Sequence, residues 1–185
     1  MIEIPFVFAE LIFAMIWLFC RIVVWRKQGR IDWKREAVLL LMFINLAVLL
    51  RITFFPMSRV EGKVQPLVFD AATAFPFRIN VIPFVHLLEY DIKRELRLNI
   101  IGNVTMFIPS GIVLPIIYKE LNSFWKVVGA GALLSLSIEI LQLPFSVRAS
   151  DVDDLILNTA GVAIGYAIYA LVNKLKKNKG QGTFA

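Results

Sequence analysis

Five stretches of about 20 apolar residues follow one another along this chain, and their length limits the fold more than any motif does. The hydrocarbon core of a bilayer is about 30 Å thick, a depth that about 20 residues of helix cross. The stretches run from Ile4 to Trp25, Ala37 to Phe55, Leu98 to Tyr118, Phe124 to Phe145 and Val152 to Val172. A composition 58% hydrophobic and 18% charged also lies far from the roughly 45–50% and 25% of soluble domains. The expected fold is therefore an all-α integral membrane protein, a five-helix transmembrane bundle forming a single domain over residues 1–185. The first stretch is expected to remain in place rather than be cleaved as a signal peptide. It follows Met1-Ile2-Glu3 instead of a basic segment, it is too long, and no small-residue cleavage site comes after it.

The gaps between spans are short except for residues 56–97, between the second and third. Phe75-Pro76-Phe77-Arg78 and Ile79-Asn80-Val81-Ile82-Pro83-Phe84 load that loop with aromatic, proline and apolar residues. Such a segment fits the membrane interface, or a re-entrant position in which neighbouring protein covers its backbone groups. It could close as a lid. Cys20 stands alone, so neither a disulfide nor a thiolate metal site is available. His86 is the single histidine, which excludes a multi-histidine metal site, and it is expected to be interfacial and inert.

Charge sets the expected orientation. Arg26, Lys27, Arg30, Lys34 and Arg35, opposed by Asp32 and Glu36, lie between spans one and two. Lys119 and Lys126 flank the third turn, and Lys174, Lys176, Lys177 and Lys179 follow the last span. With five spans these regions share one face, which the positive-inside rule makes cytoplasmic. The N-terminus and the loop near Arg148 are then outside and the C-terminus inside. The long loop mixes both signs and weakens the contrast without reversing it. Basic residues drawn to anionic lipid account for the net charge of +6, so no nucleic acid is needed.

On that orientation the polar residues within the spans gather at one depth. Asn99 and Asn103 fall in the outer half of span three, Glu139 and Gln142 at the outer end of span four. Asp151, Asp154 and Asn158 begin span five. Asp151, Asp154, Asn158, Gly161 and Gly165 share one helical face, as do Gly131, Ser135, Glu139 and Gln142. Small residues let membrane helices approach closely, and Gly161-Val-Ala-Ile-Gly165 is a GxxxG match. The expectation is three helices packed tightly at their inner halves and opening outward around a polar pocket. An unpaired charge near a helix centre costs about 2.5–3.5 kcal/mol, so the acids need partners. Arg148 and Arg51 are the cations within reach of Glu139, whose charge state is left open. Glu10 is expected near the headgroups and Asn45 in a hydrogen bond between helices.

Ordinary roles compete for several of these residues. Ser150 with Asp153 reads as a helix cap, and acids in a first turn suit the helix dipole. Asp154 and Asn158 lie deeper, beyond that explanation. Asp151-Val152-Asp153-Asp154 also looks like a short acidic motif for a divalent cation such as Mg²⁺ or Ca²⁺. No resident cofactor and no defined metal ligand set follow from it. No nucleophile elbow, P-loop or dinucleotide fingerprint is present. Ser135, Ser137, Ser146 and Ser150 are expected to pack or cap rather than act as nucleophiles.

These blocks carry a resemblance. Asn80-Val81-Ile82-Pro83-Phe84 resembles the loop motif of the VanZ-like family of bacterial membrane proteins. "NIIGNVTMFIPSG", Asn99 to Gly111, is similar to its third-span signature. "SLSIEILQLPFSVRASDVDDLILNTAGVAIGY", from Ser135, is similar to its most diagnostic block. The similarity covers roughly residues 80–166, and the first two spans fit the family's leading helices. It implies a multi-pass protein of the bacterial cell membrane. It also implies a link to resistance against teicoplanin, a glycopeptide with a lipid tail, as for the family's namesake. Asn80, Asn99, Asn103, Glu139, Gln142, Arg148, Asp151, Asp154 and Asn158 are the family-type polar positions.

The leading functional reading is an outward pocket that binds a lipid headgroup or a lipid-linked cell-wall intermediate. Arg148, Asn80 and Asn103 would contact an anionic or carbonyl-rich group, while Glu139 and Asp154 orient the arginine or accept hydrogen bonds. The competing readings are an intramembrane enzyme with Glu139 or Asp154 as general base, a small transporter, and a scaffold held together by its polar residues.

Overall fold

The computed structural model of the chain describes residues 2–55, 59–60, 62–70, 75–85, 93–145 and 149–181. The five apolar stretches are helices, each long and apolar enough to cross a membrane. They are α1 (Phe6–Gln28), α2 (Trp33–Phe54), α3 (Lys93–Ile117), α4 (Phe124–Gln142) and α5 (Val152–Gln181). The chain is a multi-pass membrane protein. It divides into two compact units, Met1–Pro83 with Ser137–Val152 and Phe84–Leu136 with Asp153–Ala185. The last turns of α4 thus belong to the first unit and the rest of that helix to the second.

In the first unit, α1 and α2 form a helical hairpin whose turn is legible residue by residue. Gly29 takes the left-handed conformation (φ 64°), and its N–H donates to the Trp25 carbonyl at 2.9 Å, the way an αL residue closes a helix. Asp32 then caps α2, accepting from the N–H groups of Lys34 at 3.1 Å and Arg35 at 3.2 Å. This cap starts the helix at Trp33, ahead of the apolar stretch that opens at Ala37. Asp32→Ala is expected to cost about 1 kcal/mol, read as a lower midpoint in detergent thermal unfolding. Phe13 stacks on Phe43 with ring centroids 5.3 Å apart. Arg21 of α1 binds Glu36 of α2 through two guanidinium hydrogen bonds, one of them 2.9 Å long.

Among the described residues six short strands accompany the helices, all in the first unit. They are β1 (Ile2–Ile4), β2 (Arg59–Val60), β3 (Lys63–Val64), β4 (Leu67–Phe69), β5 (Ile79–Asn80) and β6 (Ser150–Asp151). β1 pairs antiparallel with β4, setting Ile2 opposite Phe69 and Ile4 opposite Leu67. β2 and β3 are antiparallel neighbours around Gly62, whose φ of 74° suits glycine. β5 and β6 are parallel, with Ile79 opposite Ser150 and Asn80 opposite Asp151. Main-chain pairing therefore ties two parts of the long loop to the start of the chain and to the residues just ahead of α5. Ser150, expected as a helix cap, lies in β6 and donates its N–H to the Arg78 carbonyl at 2.9 Å. α4 stops at Gln142, short of Phe145, where a turn closes through the Phe145 N–H to the Gln142 carbonyl at 3.0 Å. Pro144 has no N–H with which to continue the helix.

The second unit is built on glycine contacts. A Cβ on Gly161 would land on the Val104 carbonyl oxygen, and one on Gly165 on that of Ile108. A Cβ on Gly111 would meet the Val162 carbonyl. α3 and α5 therefore touch backbone to backbone along Val104, Ile108 and Gly111, as small residues permit in membranes. Gly131 of α4 leaves room for the Val162 side chain in the same way. Phe107, Val127 and Val162 are fully buried around these contacts.

Candidate polar site

Two sets of hydrogen-bonded polar side chains are built on this framework, one in each unit. In the first unit, β6 brings the backbone of Asp151 under the last turns of α4. There the buried Glu139, 4% exposed, accepts the Asp151 N–H at 3.0 Å. The Asp151 carboxylate accepts from the Asn80 side-chain amide at 2.9 Å. Asn80 in turn accepts the Ile82 N–H at 3.1 Å, a local turn typical of asparagine. One turn beyond Glu139, the buried Gln142 donates to the Thr53 carbonyl near the end of α2. Arg51 donates to the Phe55 carbonyl at 3.0 Å and lies 5.4 Å from the Phe6 ring centre. Carboxylate, amide and backbone are thus linked from β5 through β6 to α4.

In the second unit, the buried Asn103 of α3 donates its amide to Asp154 in the first turn of α5. It also reaches Asn99, one turn earlier on the same helix, at 3.4 Å. Deeper along α5, Asn158 donates to the Ser135 hydroxyl of α4 at 2.9 Å, with both side chains buried. Asp153, 2% exposed, accepts the Phe84 N–H at 2.6 Å. Phe84 adopts φ 67°, a left-handed conformation costing a non-glycine residue about 1–2 kcal/mol, and this bond helps hold it there.

The structure therefore places Asn80, Glu139, Gln142 and Asp151 in the first unit, and Asn99, Asn103, Asp154 and Asn158 in the second. Arg148 and His86 lie outside the described residues. The three neighbouring acids have separate partners: Asp151 binds Asn80, Asp153 a backbone N–H and Asp154 Asn103. Among the described residues no three histidine, cysteine or acidic side chains are grouped as metal ligands. Asn45 is buried in α2.

Sequence reasoning missed two participants. Asp153 reads as a first-turn acid that any helix would favour, and only the left-handed Phe84 reveals its task. Asp153→Ala is expected to destabilise by roughly 1–2 kcal/mol by orphaning that N–H, and Asp153→Asn, which keeps an acceptor, to recover most of the loss in thermal unfolding. Arg21 was hidden inside an apolar run, although a lone cation there calls for a partner. Glu36, across the turn, supplies it.

Comparison with known proteins adds three findings. A family model described as VanZ/LLP1 matches residues 42–173, which include both polar sets except for their contacts outside that range. Protein VanZ of Enterococcus faecium is 39% identical over 101 residues, 55% of this chain and 58% of that protein. The match thus covers less than two thirds of that relative's length. No solved structure matches the chain.

Proposed function

The chain belongs to the VanZ/LLP1 family, and from that membership we propose that it is a cell-envelope protein that binds a polar headgroup, either of a lipid or of a lipid-linked cell-wall intermediate. The observation that carries this reading is chemical. Carboxylates and amides hydrogen-bond to one another within and beside helices that are otherwise apolar, and a polar cluster in such helices is a functional-site hypothesis by default. In the first unit the contact residues are Asn80, Asp151 and Glu139, with Gln142 beside them. In the second they are Asn99, Asn103 and Asp154, with Asn158 behind. Arg148 is assigned to an anionic or carbonyl-rich group of such a ligand. The termini are proposed to lie outside (N) and in the cytoplasm (C), so that these residues serve the outer leaflet, with the long loop at the interface.

Occupying such a headgroup would reduce the action of lipid-tailed glycopeptides such as teicoplanin at the cell surface. The test pairs susceptibility with binding. A susceptible host producing the protein should tolerate a tailed glycopeptide better than an untailed one. Purified protein in nanodiscs should bind a lipid-linked cell-wall precursor saturably and bind plain phosphatidylcholine far less. Unchanged susceptibility together with no saturable binding would end this reading.

A further inference from the structure

The second unit holds a groove of about 450 Å³ between α3 and α5, near the ends of both helices farthest from Asn103 and Asp154. Its two walls are matching stripes. On α3, Ile112 and Ile116 lead to Lys119, just past the last helical residue, and on α5, Ile168 and Val172 lead to Lys176. Spacings of three and four residues keep each stripe on one face. Tyr169 and Asn173 add a hydroxyl and an amide, and no acidic residue lines the groove. The niche is thus doubly cationic at one end and apolar toward the middle of the helices. Ile116, Ile168 and Val172 remain 42–45% exposed along it.

We propose that this groove holds an anionic glycerophospholipid, with its phosphate at Lys119 and Lys176 and one acyl chain along the isoleucine wall. The lysines provide the charge complement, and Tyr169 and Asn173 provide donors for the remaining phosphate or glycerol oxygens. A soluble anion would leave the apolar wall uncovered, whereas a lipid chain covers it. Fourteen residues of α3 lead from Asn103 to its last residue, Ile117, about 21 Å at 1.5 Å per residue. Lys119 lies just beyond, a separation that takes up most of the hydrocarbon thickness of about 30 Å. The lipid would therefore come from the leaflet opposite the one that meets Asn103. This site does not depend on the headgroup reading above.

Native mass spectrometry of the full chain in detergent tests it, with added phosphatidylglycerol or phosphatidylcholine of the same acyl chains. The parent protein should retain one phosphatidylglycerol in preference to phosphatidylcholine, and millimolar inorganic phosphate should not displace it. Each lysine near an anionic lipid is worth about fivefold, so Lys119→Gln with Lys176→Gln should weaken retention at least tenfold. Both lysines are exposed, so these replacements leave the fold intact. Lys174→Gln with Lys177→Gln removes the same charge from the same helix outside the groove and should change retention less than twofold. The proposal is overturned by undiminished retention in the Lys119/Lys176 variant, by an equal loss in the Lys174/Lys177 variant, by displacement with phosphate, or by a parent protein without lipid preference.

Discussion

Replacing Gly165 with leucine is expected to force α3 away from α5 and leave little folded protein. Even a methyl group at Gly165 would sit on the Ile108 carbonyl oxygen and against the Gly111 Cα. These neighbours are backbone, so no side chain can rotate to make space. Overpacking typically costs 1–3 kcal/mol and occasionally more. A four-carbon side chain against backbone belongs at or beyond the upper limit, about 3 kcal/mol, and Gly161→Leu should behave alike because the Val104 carbonyl blocks it. Gly102 and Gly129 provide the contrast, since a Cβ at either meets nothing within 4 Å. Gly102→Ala and Gly129→Ala should be neutral or stabilising by up to about 1 kcal/mol, because glycine weakens a helix interior. Thermal unfolding in detergent and yield of monodisperse protein check all four. A Gly165→Leu protein as stable as its parent would show that the helices do not meet as described.

Glu139→Gln is expected to abolish the proposed protection while leaving the fold in place. The carboxylate accepts the Asp151 N–H at 3.0 Å, and a glutamine carbonyl of the same reach can accept it too. Structural loss should then stay near 1 kcal/mol or below, the net worth of a typical hydrogen bond. The ionisable carboxyl group is lost outright, together with its influence on a ligand or on a neighbouring cation. Protection against a tailed glycopeptide should fall at least tenfold, toward the level of a host lacking the protein, at unchanged abundance. Glu139→Ala would confuse the two effects by orphaning the Asp151 N–H. A Glu139→Gln protein that is abundant and still protective would sink the role assigned to the carboxylate. Abundance and protection falling in parallel would instead support a purely structural cluster.

The helices were legible because hydropathy is a sum over about 20 residues and tolerates single exceptions. That same tolerance concealed Arg21, whose single charge does not interrupt a run of apolar residues. Helix boundaries obeyed local chemistry that hydropathy does not register. Asp32 extends α2 backward through Lys34, Arg35 and Glu36, and Pro144 ends α4 early. Helical phase put Asp154 and Asn158 on one face of the last span and Ser135 on the glycine face of the fourth. It did not supply the pairs, Asn103 with Asp154 and Ser135 with Asn158, which follow from how closely the glycines let the helices approach. The strands were not legible, because segments of two or three residues have no period to detect. Asn80 and Asp151 are far apart in sequence, and only pairing of β5 with β6 makes them partners.

Asn80 and Asp151 stand 71 residues apart, so the ribosome delivers one long before the other. At 5–20 residues per second the interval is roughly 4–14 s. Asn103 likewise waits for Asp154, 51 residues downstream. During that time the Asn80 and Asn103 amides must be served by water or headgroups, since the chain has not yet produced their acceptors. Arrival of the segment from Ser150 to Asn158 completes every one of these bonds within a few residues of synthesis, making that short segment the keystone of biogenesis.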